Sequence, residues 1–222
     1  VPPMLQAAVR FAGATALLWL WCRLRRIPLL ERDASLRPGL LVGLLFCAEF
    51  ICIYLGLQHT TATRLTLFLY AAPFWAALLL PLRLPTERLG WTQWLGLVLA
   101  FVSMGLALKD GSAASTGDTN GPWFGDTMAL LAGILWGITT VVVRSTAVST
   151  LSAEKALFYQ VGVSTCVLPL ASWAMAESWP QTLSHFAYLS IALQTVVGAF
   201  MSYLVWMWLL RNYPATRLNA FV

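Results

Sequence analysis

The chain has 222 residues, of which 59% are hydrophobic and only 10% charged, with a formal net charge of +5 and a mean hydropathy of +0.73. Soluble domains carry roughly a quarter charged residues, so the composition excludes an ordinary soluble enzyme and makes nucleic acid a poor explanation for the basic balance. It fits a polytopic α-helical membrane protein, because the stretches 65–82, 89–108 and 156–176 are uncharged for about the ~20 residues a bilayer core requires; the short alternating strands of an outer-membrane barrel are not visible.

In chain order, apolar segments are expected at 4–22, 39–57, 62–82, 89–108, 123–143, 156–176 and 186–210, with an eighth opening at Pro214. That makes about seven full helices and part of another. The chain begins with Val1 and stops at Val222, about nine residues into the eighth segment, so both ends read as cuts. The first link holds Arg23, Arg25, Arg26, Arg32 and Arg37; a polar linker, KDGSAASTGDTNG, follows the fourth segment and reads as flexible. Cys22, Cys47, Cys52 and Cys166 all lie in apolar runs, which implies no disulfide framework.

Short links alternate sides of the membrane, so basic residues can be counted by side. Arg23, Arg25, Arg26, Arg32, Arg37, Arg83, Arg88, Arg144, Lys155, Arg211 and Arg217 fall on one side and only Lys109 on the other, which assigns the first side to the cytoplasm. Trp19, Trp21, Trp91, Trp94, Trp206 and Trp208 mark the same boundary, and Trp123 and Trp179 mark the far one.

The tetrapeptide Ala62-Thr63-Arg64-Leu65 returns as Ala215-Thr216-Arg217-Leu218, a shift of 153 residues at which Phe50 meets Tyr203, Leu57 meets Leu210 and Phe68 meets Phe221. Arg64 enters its segment from the outer side and Arg217 from the cytoplasmic side. Copies of opposite orientation are the mark of an inverted-repeat transporter.

The runs GLLFCAEFICIYLGLQHTTATRLTLFLYAAPFWAAL, LPTERLGWTQWLGLVLAFVSMGLAL and LLAGILWGITTVVVR resemble EamA-type members of the drug/metabolite transporter superfamily. The resemblance rests on the helix pair with its short outer turn, Pro73 in YAAPF, the TER that follows, Gly96 and Gly105, and Trp136 before a basic helix end. It covers nearly the whole chain. It implies ten helices in two inverted five-helix repeats and export or exchange of small metabolites. On that frame residues 1–108 are helices two to five of the first repeat. Residues 109–122 are a periplasmic linker, and 123–222 hold helices six to eight and the start of nine.

Glu49 lies about ten residues into its segment, near mid-bilayer, where a charge is costly and marks function by default. Arg10 falls at a similar depth on the neighbouring antiparallel segment. A buried Arg10–Glu49 pair is expected; it would either fix packing or serve function, with Glu49 taking a proton or Arg10 meeting an anionic substrate group. Arg64 is close enough to its helix end to snorkel, or to act as a gate. Pro73 removes a backbone bond inside its segment and kinks the helix there, either as a break facing a transporter cavity or as a plain kink. Tyr70, Trp75, Trp136, Tyr159 and Gln160 are aromatic or polar in otherwise aliphatic helices, fitting either packing or a cavity. Gly39–Gly43 and Gly133–Gly137 allow close helix approach.

No zinc-protease, hydrolase-elbow or phosphate-loop motif occurs, so no catalytic residue, metal ligand or cofactor is assigned. The expected function is secondary transport of a small amino-acid-like or drug-like solute across a bacterial inner membrane, with protons as a coupling ion. The expected partners are solute and lipid bilayer. The oligomeric state is open, a homodimer included. The alternatives are an assembly subunit without transport and a membrane enzyme acting on lipid-linked substrates.

Overall fold

The computed structural model describes residues 2–29, 34–87, 89–110, 121–178 and 184–218, and each expected apolar segment is helical there. Residues 111–120 of the polar linker, Arg32, Arg88, Trp179 and Phe221 lie outside the described residues, as do the side chain of Arg217 and the eighth segment beyond Leu218.

The first three segments become α1 (Pro3–Arg25), α2 (Leu36–His59) and a span in two pieces, α3 (Ala62–Leu69) and α4 (Ala72–Arg83). A 3₁₀ turn at Pro85–Glu87 leads to α5 (Trp91–Asp110), then α6 (Gly121–Ser145), a second 3₁₀ turn at Ala147–Thr150 and α7 (Ala153–Ala174). The seventh segment is α8 (His185–Leu193), a π-helical stretch Gln194–Ser202 and α9 (Tyr203–Asn212); α10 (Ala215–Leu218) opens the eighth. Among the described residues six stretches are long and apolar enough to cross a membrane: Pro3–Arg25, Leu36–His59, Ala62–Arg83, Trp123–Ser145, Ala153–Ala174 and His185–Asn212; the expected fourth segment contributes a shorter apolar helix, Trp91–Ser103. The protein is therefore an all-α, multi-pass membrane protein.

The helix ends follow from local chemistry. Pro3 sits in the first turn of α1, where its missing N–H costs nothing. Thr61, Ser152 and Ser184 cap α3, α7 and α8, each hydroxyl oxygen accepting a backbone N–H three residues on. Arg26 ends α1 in the left-handed region at φ 56°, and the Ile27 N–H then donates to the Cys22 carbonyl at 2.9 Å.

The chain divides into two compact units, one combining Val1–Cys47 with Val142–Asn212, the other Ala48–Val141 with Tyr213–Val222. In the first unit α1 packs on α7 and on the π stretch, and α7 packs on α9. Small residues permit this: a Cβ at Gly13 would lie 2.7 Å from Thr195 Cγ2, and one at Gly43 would lie 2.5 Å from the Tyr159 carbonyl oxygen. Phe11, Phe46 and Tyr203 form an aromatic cluster, and the Thr15 and Thr165 hydroxyls meet at 2.9 Å.

In the second unit α6 lies against α3 and α4 through Gly133 and Gly137, so the GxxxG spacing is used for packing. Phe74 of α4 meets Trp94 and Phe101 of α5. Outward-facing positions are apolar: Leu24, Leu82, Trp91, Trp123, Trp173 and Phe186 are each at least 74% exposed. That surface suits lipid and would be a liability in water.

Candidate functional site

In the second unit the span after α2 is broken. The helix stops at Leu69 and restarts at Ala72, with Tyr70 and Ala71 between. Pro73 falls in the first turn of α4, so its missing N–H belongs to a new helix start rather than to a kinked interior. The break lies about 12 Å from the helix start at ~1.5 Å per residue, well inside a hydrocarbon core ~30 Å thick.

Irregular backbone at that depth needs cover by protein or polar space. Gly133 of α6 supplies the cover: a Cβ there would lie 2.9 Å from the Phe68 carbonyl oxygen and 3.4 Å from that of Leu69. One turn on, a Cβ at Gly137 would meet the Trp75 Cβ at 2.7 Å. The Trp75 indole N–H is buried without a hydrogen-bond partner among the described residues, which leaves a donor near the break for a ligand acceptor. Tyr70 is half-exposed at the break itself. Trp136 is part-buried on the glycine-bearing helix, its carbonyl accepting the Thr140 hydroxyl at 3.1 Å.

Glu49 belongs to the same unit and is only 6% exposed on α2. Arg64 neither stands free nor snorkels alone: it is paired with Asp126. Its Nε donates to Asp126 Oδ1 at 3.2 Å and its Nη2 to Oδ2, while the Thr60 hydroxyl donates to Oδ1 at 2.9 Å. Both charged side chains are under a fifth exposed. Gly125 lets α6 reach this turn, since a Cβ there would lie 2.7 Å from Thr60 Cβ. Asp126 was legible as a lone acid at the edge of the fifth apolar segment; its distance of 62 residues from Arg64 concealed the pairing.

In the first unit, Arg10 Nη1 donates to Gln194 Oε1 at 3.4 Å, and Gln6 Nε2 donates to the same oxygen at 3.1 Å. Gln194 in turn donates to Ser190 Oγ at 3.1 Å, at the point where α8 becomes π-helical. π turns inside membrane helices often accompany functional positions. The Arg10 guanidinium lies 4.9 Å from the Phe11 ring centroid. Tyr159 shares a hydrogen bond with Ser35 at 3.1 Å and packs on Gly39. Gln160 is 2% exposed, with Nε2 3.9 Å from the Met207 sulfur. Arg10 and Glu49 fall in different units, and the pair expected between them remains a proposal.

Glu177 also went unnoticed in sequence. Its carboxylate accepts the N–H groups of Met4 and Leu5 at 3.0 and 2.9 Å, as well as the Ser172 hydroxyl, so it caps α1 from the link after α7. No cluster of three His, Cys, Asp or Glu side chains suited to a metal ion occurs among the described residues.

No curated protein matches the chain. A solved structure, described as the crystal structure of a protein, has a TM-score of 0.74 to this chain at 17% identity. The match covers 99% of this chain and 74% of that one and speaks to the fold alone. The model of the EamA-like transporter family matches residues 1–109 and again 123–222. With nearly its whole length matched, in two successive copies, the chain belongs to the EamA-like transporter family.

Proposed function

We propose that this membrane transporter is a secondary transporter that moves a small polar or amphipathic metabolite outward by alternating access. The observation that carries the reading is the span broken at Tyr70–Ala71, sealed by Gly133 and flanked by the unpartnered indole N–H of Trp75. Transporters form binding sites at discontinuous helices near mid-bilayer, where freed backbone groups and side-chain donors replace water around the solute. Membership of a transporter family supports it. The two family matches, together with the returning ATRL, support a first repeat at 1–108 and an inverted second at 123–222, joined by 109–122.

In this reading Tyr70, Pro73, Trp75 and Trp136 shape one side of the solute's environment, and Tyr159 and Gln160 belong to the other repeat. Glu49 carries a proton against the solute, and Arg10, held to Gln194 in the other unit, is a candidate contact for an anionic solute group. The arginine distribution supports an orientation with the link after α1 in the cytoplasm, as in a bacterial inner membrane. An amino-acid-like or drug-like solute fits an aromatic environment with few polar groups.

The test is efflux from cells. Cells expressing the protein are preloaded with labelled amino acids, nucleosides and sugars. One class should leave faster than from vector controls. Equal retention of every class, with the protein correctly inserted, would overturn the reading in favour of an assembly subunit without transport.

A further inference from the structure

We propose that the cleft at the C-terminal end of α1 is a binding site for one anionic phospholipid, held by its headgroup phosphate. The segment WLWCRLRRIPL ends the helix with aromatic and basic residues interleaved. The left-handed turn at Arg26, secured by the Ile27 N–H on the Cys22 carbonyl, reverses the chain. Ile27, Pro28 and Leu29 thereby come back beside Trp19, and with Arg23 and Arg26 they line a cleft of about 510 Å³.

The two kinds of lining point to one class of ligand. Arg23 and Arg26 are exposed and present fork-shaped donors that match phosphate oxygens in pairs. The helix C-terminus carries partial negative charge, so the backbone recruits no anion there and the guanidinium groups must do so. The Arg23 guanidinium lies 5.9 Å from the Trp19 ring centroid, and that of Arg25 lies 4.7 Å from Trp21, contacts that hold the cations in place before a ligand arrives. The rest of the wall is apolar, and Leu20 and Leu24 beyond it are 49% and 74% exposed. A soluble phosphate ester gains nothing from that surface, whereas acyl chains do. Basic clusters next to a membrane span attract anionic lipid of the cytoplasmic leaflet, the side to which the arginine count assigns this link. The site lies at the end of α1, and its occupancy does not depend on transport.

The protein, purified in neutral detergent, is titrated with phosphatidylglycerol or phosphatidylcholine, and retained lipids are counted by native mass spectrometry. One phosphatidylglycerol per chain should be retained in preference to phosphatidylcholine. Arg23→Gln with Arg26→Gln should weaken retention about 25-fold, taking about fivefold for each basic residue at the surface. Arg23→Lys with Arg26→Lys keeps the charge but loses the fork and should weaken it measurably, though less than the Gln pair does. Both arginines are exposed, so the melting temperature of either variant in neutral detergent should match the unsubstituted protein and serves as the folding control. Equal retention of the two lipids, or Lys and Gln variants that bind as the unsubstituted protein does, would overturn the proposal. Full displacement of the lipid by glycerol phosphate at equal concentration would overturn it too, and would assign the cleft to a soluble anion.

Discussion

A single carboxylate, Asp126, organises the turn before α3 in the second unit. It accepts from Arg64 twice and from Thr60 once, so removing its charge strands a guanidinium under a fifth exposed. Asp126→Asn should lower unfolding free energy in detergent by about 1–3 kcal/mol, the usual cost of a lost hydrogen bond to a charged group. Arg64→Asp combined with Asp126→Arg should recover part of that loss. A double exchange no more stable than either single change would show that the pair contributes nothing. Glu49 poses a different question, because a carboxyl that is 6% exposed on a membrane helix is costly to keep unless it is used. Glu49→Gln preserves shape and removes titration, so it should leave insertion intact while abolishing any response of transport to a pH gradient. An unchanged response would exclude proton coupling at this position.

At the scale of the helix, glycine decides what can lie beside what. Gly133 and Gly137 bring α6 onto the interrupted span, while Gly162 on α7 has its nearest neighbouring atom at 4.0 Å from a built Cβ. Gly133→Leu should therefore abolish transport and lower thermal stability, since the side chain would drive α6 from the Phe68 and Leu69 carbonyls. Gly162→Ala should be neutral or slightly stabilising, by up to about 1 kcal/mol from helix propensity. Transport retained by Gly133→Leu would mean that the seal over the break is dispensable.

The positions of the spans were readable from hydropathy because a bilayer demands long uncharged runs, and the observed helices match the expected segments to within a few residues. Other features were not readable. The interruption at Tyr70 looked like a proline kink, because nothing local shows that Pro73 begins a helix rather than bends one. The π stretch from Gln194 to Ser202 leaves no mark in an apolar sequence. Asp126 and Gln194 acquire meaning only through partners 62 and 184 residues distant, and Glu177 through Met4 at 173. Such pairings are products of packing, and no local pattern encodes them.

At the scale of the molecule, the proposed orientation makes a prediction independent of transport. In a cysteine-free background, Thr61→Cys in the turn before α3 should react with an impermeant thiol reagent applied outside intact cells. Ser149→Cys in the turn before α7 should react only after the membrane is opened. The reverse pattern would invert the topology drawn from the arginines.

The central claim, that this family member carries out proton-coupled solute transport with Glu49 as the proton site, is tested most directly in proteoliposomes holding the protein. Release of a labelled panel of amino acids and other metabolites is followed with and without an imposed pH gradient. The account predicts saturable release of one solute class, accelerated by the gradient. No release of any class from correctly folded and inserted protein would contradict transport itself, and saturable release indifferent to the gradient would contradict the coupling.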